Sequence, residues 1–168
     1  MPAQRTEQWI TPITEGQPES PLDELLVVVV GFDGSETSYR ALDAAARLIS
    51  GRTGIIVAVY VAHVSAPTEL SPECLVEVLK DFDSLEQQFA EAIRNRLNQV
   101  ERRWRLQRRN GSIALELAAA ADEISRHYGS DATVVIVVGS AMQTYHHVVG
   151  SVPVALVRHA KYPVLVVP

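Results

Sequence analysis

Short apolar runs alternate along the chain with stretches in which apolar residues recur every three or four positions. The clearest run, residues 134–138, is wholly apolar and ends at Gly139, as expected of a strand buried on both faces. A later run differs, because Trp104 and Leu106 alternate with arginines, which predicts a half-exposed edge strand. Together the runs predict β-strands at residues 25 to 31 or 32, 55–64, 104–108, 133–139 and 162–167.

Helical spacing predicts four helices between these strands. Ser35 is a suitable N-cap for the first helix, which is expected to end near residue 50. Ser71 and Pro72 form a strong start for the second helix, whose apolar stripe continues to Val100. The third helix is predicted at 113–128 with Gly129 as its cap, and a short fourth helix at 151–159. The predicted apolar face of the third helix consists of Ile113, Leu117, Ala121, Ile124 and Tyr128.

Strands that alternate with helices predict the α/β class, with a parallel sheet covered by helices on both faces. The 168 residues form one predicted domain, which begins near residue 22 and is long enough to bury about two-thirds of its unfolded surface. Residues 1–21 contain four prolines and no apolar periodicity, so we expect a disordered or loosely attached tail.

The net charge, the cysteine content and the lengths of the apolar runs limit the partners and the cellular compartment that we expect. The formal net charge of −5 argues against nucleic acid as a principal partner, because a phosphate backbone would be repelled on average. The single cysteine, Cys74, cannot form an internal disulfide, which is typical of a reducing compartment. No signal peptide is recognisable, and no apolar run approaches the ~20 residues that span a bilayer. We therefore expect a soluble, cytoplasmic protein without a membrane partner.

Two glycine-serine pairs indicate a binding site near the C-terminus. Gly139 and Ser140 follow the buried strand, and Gly150 and Ser151 open the last helix. The connection between the pairs lies at the carboxyl end of a strand, where open α/β sheets bind ligands. Glycine allows an anion to approach the backbone closely, and the free amides of a helix N-terminus attract phosphate. We expect phosphate to face the amides of Ser140, Ser151 and Val152.

Other chemistry has little support in the sequence. His146 and His147 are adjacent and therefore diverge, and no cysteine or carboxylate lies nearby at metal-ligand spacing, so no metal site is predicted. The serines do not occur in a Gly-x-Ser-x-Gly elbow, so no nucleophilic catalysis is predicted. The arginines around Trp104 have two interpretations, which are protection of an edge strand and a site for an anionic partner.

Two separated stretches resemble the universal stress protein family. The first runs from Val27 through Asp33-Gly34-Ser35 into the first helix, and the second comprises residues 137–140, 150–152 and 157–167. The resemblance implies a doubly wound, Rossmann-like fold of the adenine nucleotide alpha hydrolase type, with a five-stranded parallel sheet of order 3-2-1-4-5. It also implies a homodimer formed through the last strand.

Many members of that family bind ATP through a loop of pattern Gly-x-x-Gly, nine residues, then Gly-Ser or Gly-Thr. Asp33 matches the acid that contacts the adenosine part, Gly139 matches the first glycine, and Gly150-Ser151 matches the final pair. Met142 replaces the second glycine, and ten residues separate Gly139 from Gly150 where that pattern has twelve. No lysine or arginine occurs between residues 126 and 158, so a triphosphate would meet few compensating charges.

The resemblance implies a non-enzymatic stress-response protein with a regulatory site for ATP, AMP or cyclic AMP. Because the loop lacks positive charge, we predict that ATP binds no tighter than AMP. Two alternatives stay open. The first is a homodimer that has lost nucleotide binding and acts through protein contacts, and the second is a slow ATP hydrolase.

Overall fold

The computed structural model describes residues 24–62, 72–97, 103–140, 151–159 and 161–168. Predictions for the N-terminal tail, the end of the second strand and the loop at 141–150 lie outside these residues. The elements are β1 (Leu25–Gly31), α1 (Glu36–Leu48), β2 (Gly54–Ala62), α2 (Pro72–Leu97), β3 (Arg103–Asn110), α3 (Ile113–Tyr128), a 3-10 turn (Gly129–Asp131), β4 (Ala132–Gly139), α4 (Ser151–His159) and β5 (Val164–Val167).

The five strands form one parallel sheet with the order β3-β2-β1-β4-β5. This order confirms the predicted fold class and the topology that the resemblance implies. The chain first builds outward from β1 to β2 and β3, and then returns to the other side of β1 with β4. The strand order therefore reverses between β1 and β4, where α/β sheets open a crevice at the carboxyl ends of the strands.

The sheet is buried on both faces because its central strands are apolar at nearly every position. Val27, Val28, Val29 and Val30 in β1 have no exposed surface, and Ile136 in β4 is equally buried. Alternate residues of each strand point to opposite faces. One face packs against α1 and α2, and the other packs against α3 and α4. Two hydrophobic cores therefore pack against the central strands, one on each face of the sheet.

Two predicted strands and one predicted helix face need correction. β3 spans Arg103–Asn110 and is longer than the predicted 104–108. β5 begins at Val164 and not at Tyr162, whose hydroxyl donates a hydrogen bond to Asp122 Oδ1, 2.9 Å away. In α3 the predicted apolar face included Ile113, which is 45% exposed, whereas Ala114 is buried in its place. The position of Ile113 at the rim of the crevice explains that exposure. None of the helices described here is long and apolar enough to cross a membrane.

Candidate functional site

A crevice of about 130 Å³ lies at the point where the strand order reverses. Its walls are the ends of β1, β2 and β4, the turn after β1, and the first turns of α1, α3 and α4. Asp33, Gly139 and Val152, three of the residues that the sequence assigns to ligand binding, all line it. Distant segments of the chain therefore converge on one cavity. The apolar part of its wall consists of Val59, Val61, Ile113, Leu117 and Val138.

The turn Asp33-Gly34-Ser35 joins β1 to α1 and forms one side of the crevice. The Ser35 amide donates to Asp33 Oδ1 at 2.9 Å, which closes a local turn. Ser35 is also the N-cap of α1, because its Oγ accepts a hydrogen bond from the Ser38 amide at 3.2 Å. Gly34 has a φ of +78°, a left-handed conformation that favours glycine. Asp33 thus accepts the hydrogen bond of the turn, Gly34 adopts its left-handed conformation, and Ser35 caps the helix.

The Asp33 carboxylate is negatively charged at neutral pH. Partial burial raises its pKa, but hydrogen bonds from Ser35 and Ser38 outweigh that effect and hold the pKa below its usual value. A carboxylate has about four acceptor positions, so the bonds from Ser35 and Ser38 still leave capacity for a ligand. Asp33 therefore offers the crevice a fixed acceptor for hydroxyl or amine groups.

Gly139 has a structural role that the sequence analysis did not foresee. A Cβ atom at this position would lie 2.6 Å from the backbone oxygen of Thr37 in the first turn of α1. Only glycine allows β4 and α1 to approach so closely. We expected this glycine to bring the backbone near an anion, but the contact that requires it is with Thr37. Thr37 itself was missed, since nothing in its sequence context indicates that another strand end approaches it.

The Ser140 amide is engaged within the sheet. It donates to the backbone oxygen of Val167 at 2.6 Å and so extends the pairing of β4 with β5. The expected bond from this amide to a phosphate is therefore in conflict with the strand pairing. The sequence could not show this, because it gives no register for β5.

The N-terminus of α4 faces the crevice through Val152 and Pro153. The first amides of a helix lack intrahelical partners and carry the positive end of the helix dipole. Proline has no amide hydrogen, so Pro153 removes one donor from this group. The amides of Ser151 and Val152 remain as the donors of the first turn. Gly150 lies outside the described residues.

Charge at the crevice is negative. Among its described lining residues, Asp33 is the one ionisable side chain, and none is lysine, arginine or histidine. The described residues also contain no group of three or more histidine, cysteine, aspartate or glutamate side chains that could hold a metal ion. The arrangement can accept hydrogen bonds at one end and donate two amides at the other, between apolar walls.

Parallel strands in the order 3-2-1-4-5, with a crevice where the order reverses, define a doubly wound α/β protein of the Rossmann-like type. The model of the universal stress protein family matches residues 26–168. The chain therefore belongs to the universal stress protein family, as the resemblance indicated.

Solved structures agree with this assignment. A universal stress protein from Burkholderia pseudomallei is 28% identical, with a TM-score of 0.62, and the match covers 84% of this chain and 95% of that one. A universal stress protein in complex with cAMP is 22% identical, with a TM-score of 0.58 and coverage of 84% and 95%. One from Archaeoglobus fulgidus in complex with dAMP is 19% identical, with a TM-score of 0.53 and coverage of 85% and 96%. Comparison with the curated proteins gave no match.

Proposed function

We propose that this protein is a non-enzymatic universal stress protein whose crevice binds an adenine nucleotide as a regulatory ligand. The observation that carries the proposal is the convergence of the Asp33 turn and the N-terminus of α4 on one cavity. Two proteins of the same fold are described in complexes with cAMP and dAMP, which are adenine monophosphates. That similarity supports the class of ligand.

The crevice provides a suitable partner for each part of a nucleotide. The ribose hydroxyls or the base face Asp33, where the carboxylate accepts their hydrogen bonds. The base packs against the apolar wall that includes Val61 and Leu117. The phosphate faces the amides of Ser151 and Val152, where the helix dipole stabilises its charge.

The charge distribution favours a nucleotide with one phosphate. The two amides and the helix dipole stabilise roughly one negative charge, and a second or third phosphate would find no basic side chain in the described wall. Asp33 adds a negative charge to the same small cavity. Each further phosphate therefore costs desolvation without a compensating ion pair. We expect ATP to bind no tighter than AMP or cAMP.

We also propose that the protein is not an enzyme. The Ser38 hydroxyl donates to the Ser35 backbone oxygen at 2.8 Å, and the Ser35 hydroxyl accepts the capping bond. Both hydroxyls thus stabilise the start of α1 and are poorly placed to act as nucleophiles. Binding alone is the regulatory event in this proposal.

A second function is a homodimer that acts through protein contacts without nucleotide. The observation that favours it is the apolar edge strand β5, in which Leu165 is 39% exposed. The small crevice and its negative charge also fit a protein that has lost nucleotide binding. The two functions differ in whether any adenine nucleotide binds.

Calorimetric titration with AMP, cAMP and ATP tests both functions. We expect Asp33→Ala to weaken AMP binding at least about tenfold, roughly 1.4 kcal/mol, because a hydrogen bond to a charged group is lost. Asp131→Ala is the matched control, since Asp131 is exposed and lies just before β4, at the opposite end of the sheet from the crevice. ATP binding tenfold tighter than AMP would contradict the monophosphate preference, and absence of binding to all three would favour the dimer without nucleotide.

A further inference from the structure

The turn that presents Asp33 rests on a side chain from α2, a helix that contributes no residue to the wall of the crevice. A Cβ atom at Gly34 would lie 2.7 Å from Cε1 of Phe89 and 3.2 Å from its Cζ. The ring of Phe89 is therefore in direct contact with the backbone of Gly34. Gly34 has a φ of +78°, a backbone conformation that other residues rarely adopt. The ring therefore contacts the turn at the position that requires glycine.

Phe89 is itself held by two aromatic neighbours. Its ring centroid lies 5.2 Å from that of Phe32 and 5.1 Å from that of Tyr60, both in edge-to-face geometry. Phe32 also meets Tyr39 of α1 edge-to-face at 5.1 Å. Such pairs contribute beyond the area that they bury, and their geometry is specific. The four rings join the ends of β1 and β2 to α1 and α2 directly below the Asp33 turn.

A partly exposed ion pair also joins α2 to α1. Arg96 donates from Nε to Asp43 Oδ1 at 2.9 Å and from Nη2 to Asp43 Oδ2 at 2.6 Å. The guanidinium also lies over the ring of Tyr39, 5.8 Å from its centroid. The two-bond geometry restricts both the distance and the rotation of the helices. Phe89 therefore meets Gly34 from a defined position and not as a loosely packed side chain.

We propose that Phe89 is a positioning residue for the nucleotide, acting through the Asp33-Gly34-Ser35 turn. The inference rests on the proposed nucleotide site. When the ring is present, the turn is held ready and the Asp33 carboxylate keeps one orientation. When the ring is lost, the turn becomes mobile in the free protein and must be ordered by each binding event, which weakens affinity. By linkage, nucleotide binding also stabilises the contact between α2 and the turn.

Phe89→Leu tests the proposal, with Ile93→Ala as the matched control. Ile93 lies one turn further along α2 and is completely buried, so its truncation destabilises the protein without contacting the turn. At a temperature where both variants are folded, we expect Phe89→Leu to weaken AMP binding about tenfold. The control is expected to stay within about twofold of wild type, although its melting temperature falls at least as far.

Hydrogen exchange of the Ser35 amide provides a second readout, because this amide closes the turn onto Asp33. In the protein without nucleotide, we expect Phe89→Leu to accelerate that exchange about tenfold. In Ile93→Ala we expect the exchange rate of this amide to rise only as far as the loss of overall stability requires. Unchanged affinity and unchanged exchange in Phe89→Leu would overturn the proposal. If wild type binds no AMP, the proposed function fails, while the exchange rate still decides whether Phe89 fixes the turn.

Discussion

The two edge strands of the sheet, β3 and β5, differ in length and in charge. β3 has eight residues, of which four are arginines, whereas β5 has four residues and all are apolar. Arg108 lies on one face of β3, and Arg103, Arg105 and Arg109 lie on the other. Arg108 pairs with Asp83 and Glu86 of α2 at 3.0 and 3.3 Å, and Arg109 contacts two glutamates of α3. Arg108 and Arg109 therefore join β3 to α2 on one face and to α3 on the other.

The described residues of β5 are all apolar and form no such ion pairs with the neighbouring helices. The backbone oxygens of Pro163 and Val167 accept from β4, and successive residues of a strand direct their backbone groups to opposite sides. The backbone groups of Val164 and Val166 therefore point outward from the sheet. An edge with free backbone groups and an exposed Leu165 is a template for pairing with another strand. In the described residues, charge protects β3 and not β5 against association, and we propose that β5 forms the homodimer.

The largest effect is expected on the protected edge, at Arg109. Its side chain is 5% exposed and lies 2.8 Å from Glu116 and 2.9 Å from Glu123. Hydrogen bonds to Glu123 and Glu116 raise the pKa of Arg109 above its usual value, so the guanidinium stays charged. Arg109→Leu would leave two carboxylates close together without their shared cation. We expect a loss of about 3 kcal/mol in the free energy of unfolding, measured by urea denaturation.

Arg109→Lys is the control for that measurement. Lysine restores the charge but cannot form the forked contact, so an intermediate loss is expected. If Arg109→Leu were as stable as wild type, packing and not the ion pairs would hold β3 against α3. That result would revive the interpretation of the arginines as a site for an anionic partner.

A smaller effect is expected when the unprotected edge is given a charge. Leu165→Lys places a cation in the middle of β5, as arginines occupy β3, and should oppose pairing of two such edges. We expect a dimer dissociation constant at least about tenfold higher, roughly 1.4 kcal/mol, by sedimentation. Leu115→Lys is the matched control, since Leu115 is 60% exposed on α3, far from the edge. Equal dimerisation of both variants would place the interface elsewhere.

The sequence was sufficient for the elements of the fold, and the reason is physical. Short continuous apolar runs such as residues 134–138, followed by glycine, are typical of strands that are buried on both faces. The alternation of Trp104 and Leu106 with arginines likewise predicted the half-exposed edge, because side-chain direction follows the period of the strand. The strand order came from the resemblance and was confirmed, since local pattern does not determine which strands become neighbours.

The candidate site was predictable in part. Asp33 and Gly139 follow strands that the topology makes neighbours, so their convergence could be expected. The contacts of Gly139 with Thr37 and of Phe89 with Gly34 could not be predicted, because they join segments that are distant in sequence and depend on how closely the helices approach. The engagement of the Ser140 amide was missed for the same reason, since strand register decides it. Whether nucleotide binds stays a prediction.

The smallest effect is expected at Glu86, where the protected edge meets α2. Its side chain is 5% exposed, and burial raises the pKa of Glu86 despite the nearby Arg108 guanidinium. The pKa is therefore higher in the folded protein than its usual value of 4.5, so the folded state binds the proton more tightly and loses stability as the pH rises through this range. Glu86→Gln removes that titration.

We accordingly expect the stability of Glu86→Gln relative to wild type to increase as the pH rises from about 4 to 7, by a few tenths of a kcal/mol. Urea denaturation at several pH values gives the difference directly. The ion pair with Arg108 is partly exposed at its arginine end, where side-chain exposure is 28%, so it offsets only part of the cost of burying the carboxylate. A relative stability that falls with rising pH would mean that the ion pair outweighs burial, and the charged edge would then contribute to stability through Arg108 as well as through Arg109.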